Sequence, residues 1–251
     1  MASHDIYGLI GRSLNHSFSQ QFFTQKFEKE NIAAEYHNFE IDEISFFPQI
    51  IKNVKNLRGL NVTIPYKEAI IPYLDQIDDL ASKVGSVNVI SVTSNGKLIG
   101  HNSDVYGLTE SLKHHINPKK HNKALVLGTG GASKSVYYVL NKLGLEVAFV
   151  SRTMGKVKFV YDDLTPEIIV DHTLIVNTTP VGQFPNINEY PNLPYEGISE
   201  NHICFDLIYN PVLTKFLEKG RECGAMVVNG GEMLKLQAER SWQLWNNKGT
   251  D

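Results

Sequence analysis

Residues 128–133 of this 251-residue chain read Gly128-Thr129-Gly130-Gly131-Ala132-Ser133 and follow the apolar run Ala124–Leu127 directly. A glycine loop between a strand and a helix suits a pyrophosphate. Gly128 permits the tight turn, Gly130 lets the backbone approach the ligand, and the helix N-terminus supplies amide donors and the positive end of a dipole. Ser133 stands where the dinucleotide fingerprint has its third glycine. The same glycines can also serve only as a tight turn, but a strand–loop–helix–strand setting favours the nucleotide. The next strand ends on Ser151-Arg152-Thr153, with Lys156 beyond it and no carboxylate to hold a ribose 2′-hydroxyl. Arg152 is a planar, permanently charged fork and Lys156 adds a second positive charge. Against the bland reading of a solvated basic turn, that position points to a 2′-phosphate and so to NADP(H).

The first half carries a different set. Ser17 and Ser19, two residues apart in Asn15-His16-Ser17-Phe18-Ser19, can aim two hydroxyls at one carboxylate, or form a helix N-cap and its neighbour. Thr63 and Lys67 lie just past an apolar run beginning at Gly59, at the strand end where α/β proteins place ligands; a lone lysine there is equally at home in solvent. Asp104 closes Gly100-His101-Asn102-Ser103-Asp104, either as a site carboxylate or as the cap of the next helix.

These residues need elements to hold them. Asp5–Ile10, Glu35–Ile41 and Gly59–Thr63 read as strands, with a helix over Gln20–Glu30 that puts Phe22, Phe23 and Phe27 on one side. Pro65 suits the first turn of a following helix. Val87–Thr93 and Lys97–Asn102 flank Ser94-Asn95-Gly96, a strong hairpin signal. In the second half, strands are expected at Ala124–Leu127, Leu145–Val150, Thr173–Asn177, His202–Leu207 and Met226–Val228. Helices are expected from the glycine loop to Leu143, from Pro211, and over Gly231–Trp245. Buried strands separated by helices imply a parallel sheet covered on both faces. The expectation is therefore two α/β domains with a cleft between them. Residues 1–104, joined by a C-terminal helix over about 231–251, form an N-terminal domain with a mainly parallel sheet. Residues 105–230 form a Rossmann-like domain, with the linker near Asp104–Lys120.

Composition excludes several partners. The net charge of −3 gives no electrostatic reason for nucleic acid or an anionic membrane. No run approaches the ~18 apolar residues of a membrane span, and the first twenty residues lack the pattern of a signal peptide. Cys204 and Cys223 are the only cysteines and have no metal spacing, which suits a reducing cytoplasm. Adjacent His114 and His115 diverge on a helix, and His121 in a lysine-rich loop reads as solvated surface, so no metal site is expected. Trp242 and Trp245 read as packing.

In order along the chain, the motifs resemble those of the shikimate dehydrogenase family from end to end. His16-Ser17-Phe18-Ser19 is similar to its His-Ser-x-Ser substrate loop, and Asn61-Val62-Thr63-Ile64-Pro65-Tyr66-Lys67 to its Asn-Val-Thr-x-Pro-x-Lys motif. Gly85-Ser86-Val87-Asn88 resembles Gly-Ala-Val-Asn, and residues 100–104 match Gly-x-Asn-Thr-Asp with Ser103 for Thr. Ser151-Arg152-Thr153 resembles Asn-Arg-Thr with Ser for Asn, which removes an amide contact without reversing cofactor choice. Residues 177–182 resemble the Asn-x-Thr-Pro-x-Gly turn beside the cofactor, followed by Gln183 where Met is usual. Residues 206–211 resemble Asp-x-x-Tyr-x-Pro, and residues 229–237 the closing helix.

The resemblance implies reversible, NADP(H)-dependent reduction of 3-dehydroshikimate to shikimate, in aromatic amino acid biosynthesis, by a cytoplasmic monomer or homodimer. It makes Lys67 and Asp104 catalytic, with Lys67 either an acid–base group or an electrostatic one. It assigns Ser17, Ser19, Thr63, Asn88, Tyr209 and Gln237 to the substrate. To the cofactor it assigns the loop Gly128, Thr129, Gly130, Gly131 and Ala132, then Ser151, Arg152, Thr153 and Lys156. Thr178, Leu207 and Gly230 complete that set. The alternatives are an NAD-dependent quinate/shikimate dehydrogenase, disfavoured by Arg152, and a non-catalytic ligand-sensing relative, disfavoured by the presence of both Lys67 and Asp104.

Overall fold

The computed structural model describes residues 4–14, 17–117, 119–155 and 157–246. It divides into two α/β units: one takes the chain up to Ser103 and resumes at Gln237, and the other is Asp104–Leu236. The first contains β1 (Asp5–Gly11), α1 (Phe18–Glu30), β2 (Ala34–Glu40), α2 (Phe47–Asn53), β3 (Leu57–Val62), β4 (Gln76–Ile77), α3 (Asp79–Val84), β5 (Val89–Val92) and β6 (Leu98–His101). The second contains α4 (Asp104–Leu112), β7 (Lys123–Leu127), α5 (Gly131–Lys142), β8 (Glu146–Ser151), β9 (Phe159–Val160), α6 (Pro166–Asp171), β10 (Leu174–Asn177), β11 (Ile203–Asp206), α7 (Lys215–Glu222) and β12 (Met226–Val228). The last helix, α8 (Gly231–Asn246), begins in the second unit and gives its residues from Gln237 to the first. No helix among the described residues is long and apolar enough to cross a membrane.

The first sheet is mixed, in the order β2-β1-β3-β5-β6-β4. β1 is parallel to β2 and β3, and β4 to β6, whereas β5 is antiparallel to both β3 and β6. The β5–β6 hairpin turns through Gly96 at φ +80°, the left-handed conformation that makes Asn-Gly a hairpin signal. One face carries Ile10, Leu60, Val62 and Ile90, and Ile70 from the turns after β3 joins the same cluster. A second cluster joins Tyr7, Phe23, Phe27 and Tyr36 to Ala238, Trp242 and Trp245 of α8. Phe23 and Phe27, four apart on α1, share its buried face. Phe23 stacks on Tyr36 at 4.7 Å and meets Trp245 at 5.1 Å, so both tryptophans serve packing. Trp245 lies against Gly59, where any Cβ would collide with its ring, and donates its Nε1–H to Ile90 O at 3.0 Å.

The second sheet is entirely parallel, in the order β12-β11-β10-β7-β8-β9. Read from β7, the chain steps outward through β8 and β9, then returns to the other side of β7 with β10. That reversal creates a switch point between β7 and β10, and ligands of open α/β sheets bind beyond the carboxyl ends of the strands there. Leu125, Leu127, Val150, Ile175, Cys204 and Phe216 fill the core on this sheet.

Four local expectations fail for identifiable reasons. Pro65 does not open a helix: residues 64–70 form turns, and the Lys67 carbonyl that a helix would need accepts from Val87 N instead, at 2.8 Å. Pro211 does not open one either; α7 starts four residues later because Thr214 is its N-cap, accepting from Leu217 N at 3.3 Å. His121 is buried rather than solvated, with Nδ1 at 3.3 Å from Thr173 Oγ1, and burial and Lys120 hold its pKa down. The first part of the stretch read as linker is helix α4, which buries Val105, Leu108 and Leu112.

Candidate active site

The second unit offers a cradle for a dinucleotide. β7 ends at Leu127, and Gly128 follows at φ +104°, a conformation costly for residues with a side chain. A Cβ on Gly128 would fall 2.8 Å from Thr178 Oγ1, so the loop after β7 lies against the residue after β10, at the switch point. Thr178 is fixed there by donating both its N–H and its hydroxyl to Leu127 O, at 3.0 and 2.6 Å. Gly130 is the N-cap of α5, with no side-chain cap and ordinary backbone angles of φ −81° and ψ −176°. A Cβ there would meet nothing within 4 Å. Neither conformation nor packing demands glycine at 130, whereas close approach of a pyrophosphate to the first amides of α5 would.

Ser133, in place of the third glycine, is buried and donates its hydroxyl to Gly130 O at 2.6 Å. That bond satisfies the hydroxyl inside the helix–sheet packing. Thr129 is exposed at the loop tip, and Gly131 and Ala132 begin α5 half-buried. Ser151 ends β8 with its Oγ accepting from Thr153 N at 3.4 Å, and Arg152 and Thr153 follow, both exposed. Lys156 lies outside the described residues, as do Asn15 and His16. Beyond β11, Leu207 donates its N–H to Asn177 O, and Gly230 packs so closely on the Leu207 carbonyl that no side chain fits. Tyr209 is half-buried in the loop after β11. Asp206 holds this loop in place by accepting from Thr214 Oγ1 (2.6 Å), Ile208 N (3.0 Å) and Asn177 Nδ2 (3.1 Å). Burial outweighs these three bonds and pushes its carboxyl up to about 7.

In the first unit, Ser17 is the N-cap of α1 and accepts from Gln20 N at 3.2 Å. Capping uses a lone pair and leaves the hydroxyl hydrogen for a carboxylate, so the two readings of Ser17 are compatible. Ser19, half-buried in α1, bonds the Tyr36 hydroxyl, whose pKa burial drives well above its usual value. Thr63 follows β3 and donates its N–H to Ile10 O at 2.9 Å. Lys67, four residues on, is half-buried, and its carbonyl ties this loop to Val87, next to Asn88. Asp104 is buried at the first position of α4 in the second unit.

Asn88 and Gln237, 149 residues apart, meet at 3.5 Å within a buried polar group that sequence reasoning did not find. Asn61 sits at its centre. Its Nδ2 donates to Asn88 O at 3.3 Å and to Ser241 Oγ at 2.9 Å, and its Oδ1 accepts from Tyr36 Oη at 2.9 Å. Ser103 donates its backbone N–H to Asn88 Oδ1 at 2.7 Å and accepts from Asn88 Nδ2 at 3.1 Å. Asn102 Nδ2 donates to Ser86 O at 2.8 Å. The available signal was the four-residue spacing of Gln237 and Ser241, which places them on one face of α8.

The family model for the shikimate dehydrogenase substrate binding domain matches residues 9–90. Over 254 residues the chain is 37% identical to a shikimate dehydrogenase (NADP(+)) of Carboxydothermus hydrogenoformans, covering 95% of this chain and 90% of that one. Its structure resembles the crystal structure of shikimate dehydrogenase from Aquifex aeolicus, at a TM-score of 0.86 and 34% identity over 100% of this chain and 96% of that one. It also resembles shikimate 5-dehydrogenase from Thermus thermophilus, solved in complex with NADP(H) and shikimate, at a TM-score of 0.84 and 30% identity, covering 98% and 95%.

Proposed function

The chain belongs to the shikimate dehydrogenase family, and from that premise we propose that it interconverts 3-dehydroshikimate and shikimate with NADP(H). Full-length similarity to a shikimate dehydrogenase (NADP(+)) carries the reading. The cofactor assignment is supported by β8, which ends in Ser151-Arg152 with no acidic residue to hold a 2′-hydroxyl. When bound, the nicotinamide supplies hydride transfer to and from carbon 3 of the ring.

The remaining chemistry belongs to side chains. Lys67 gives a proton to the reacting oxygen during reduction and recovers it during oxidation, and Asp104 orients the lysine and balances its charge. An ammonium beside the developing oxyanion also stabilises it electrostatically. Ser17 donates to the substrate carboxylate, as does Ser19 once its hydroxyl hydrogen turns away from Tyr36, while Thr63, Asn88, Tyr209 and Gln237 take the ring hydroxyls. The amides at the start of α5 receive the pyrophosphate, and Arg152 pairs with the 2′-phosphate through a bidentate fork, assisted by Thr153 and Lys156.

The test is nicotinamide absorbance with shikimate or quinate against NADP+ or NAD+. Shikimate with NADP+ should give the highest kcat/KM. Efficient turnover only with quinate and NAD+ would reassign the enzyme, and no turnover with any pair would remove it from catalysis.

A further inference from the structure

We propose that Ser241 is a positioning residue for the two substrate-binding amides, Asn88 and Gln237, an assignment that rests on the function proposed above. Ser241 lies one turn past Gln237 on α8 and is fully buried. Its single hydroxyl hydrogen is committed, because Ser241 Oγ donates to Gln237 O at 2.8 Å while accepting from Asn61 Nδ2. The 3.3 Å contact between Ser103 Oγ and Ser241 Oγ therefore has Ser103 as donor. With its hydrogen on Ser241, Ser103 turns a lone pair to Asn88 Nδ2.

This direction propagates to the ligand side. A backbone N–H can only donate, so the bond from Ser103 N pins Asn88 Oδ1, and Asn88 meets Gln237 through Nδ2. Gln237 then faces Asn88 with Oε1 and turns its two Nε2 hydrogens away, ready for an acceptor oxygen on the substrate. Ser103 has a second option, since Asn88 Oδ1 also lies 3.4 Å from its Oγ. If Ser103 donated there, Asn88 Nδ2 would lose Ser103 as an acceptor and the orientation of the Asn88 amide toward Gln237 would loosen. Ser241 draws Ser103 into the first arrangement by offering a nearer acceptor, at 3.3 rather than 3.4 Å, and it holds Asn61 in the same step.

The experiment compares full-length wild type, Ser241→Ala, Ser103→Ala and the double variant. It measures shikimate KM, kcat with NADP+, and the NADP+ Kd by calorimetry. Ser241→Ala should raise the shikimate KM about tenfold, the equivalent of one hydrogen bond, with kcat within about twofold and the NADP+ Kd unchanged. Ser103→Ala should raise KM similarly, and the double variant should be no worse than the worse single one. A packing role predicts a change in melting temperature without a change in KM, since alanine is smaller and a better helix former. An unchanged KM in either folded single variant, or losses that multiply in the double, overturns the assignment while an active wild type keeps the functional reading. A wild type that neither binds nor oxidises shikimate overturns both.

Discussion

Replacing Asp206 with asparagine should stabilise the protein above neutral pH and change it little in acid. Asp206 is fully buried at the end of β11, and burial lifts its carboxyl to about 7 against three stabilising hydrogen bonds. In the unfolded chain the same group titrates near ~3.9. Between those values the native state holds a proton that the unfolded state has released. The contribution to stability is thus complete below pH ~4 and is lost as pH rises through about 7. An offset of roughly three units at about 1.4 kcal/mol each sets an upper bound of about 4 kcal/mol. Asparagine has no proton to lose and keeps the shape. Its Oδ1 can accept from Asn177 and Ile208 while its Nδ2 donates to Thr214 Oγ1. At about 2–4 °C per kcal/mol for a chain of this size, that bound corresponds to a melting temperature roughly 8–16 °C above wild type at pH 8.5. The two should converge only near pH ~4, where both states hold the proton. Circular dichroism melts across pH 4 to 9 decide the matter: profiles that stay parallel, or a variant weaker throughout, would show an ordinary ionised carboxylate and refute the reasoning.

Arg152→Ala should raise the KM for NADP+ by about 10- to 100-fold, one charge-assisted contact, and leave the NAD+ KM nearly unchanged; equal losses with both cofactors would remove the guanidinium from 2′-phosphate recognition. Lys67→Ala should still bind shikimate and NADP+ in calorimetry yet lose ~10²–10⁴-fold in kcat, and near-normal turnover would exclude it from proton transfer. The glycines separate ligand from fold. Gly130→Ala meets open space and a permitted backbone conformation, so it should melt like wild type but bind NADP+ at least several-fold more weakly. Gly230→Ala collides with the Leu207 carbonyl and should lower the melting temperature instead, and the opposite pattern for the pair would invert these roles.

The two sheets were legible because their central strands are continuous apolar runs. Met226–Val228 matches β12 end for end, and Ala124–Leu127 misses β7 by one residue. β4 and β9 were invisible, since two-residue strands carry no periodicity. Helices α3 and α6 are short, but their starts were written: Asp78 caps Ala81 N, and Thr165 precedes Pro166 at the first helical position. Pro65 and Pro211 misled because proline fixes its own angle without saying whether neighbouring carbonyls are free for a helix. The nucleotide loop was readable because its residues are contiguous. The Asn61–Ser241 bond spans 180 residues, and no local pattern reports a hydrogen bond between such partners.

The packing of Trp245 on Gly59 bears on the order in which the protein can assemble during synthesis. Domains generally complete from the N-terminus as the chain emerges. Here the first sheet has its aromatic cluster closed by Ala238, Trp242 and Trp245, which leave the ribosome after all of residues 104–236. The second unit has its whole parallel sheet available before then. The nascent chain should therefore finish its later unit first, and hold Tyr7, Phe23 and Phe27 incompletely covered until the last turns of α8 arrive. Stalled nascent chains that stop before residue 237 should show protease protection in the second unit and not in the first.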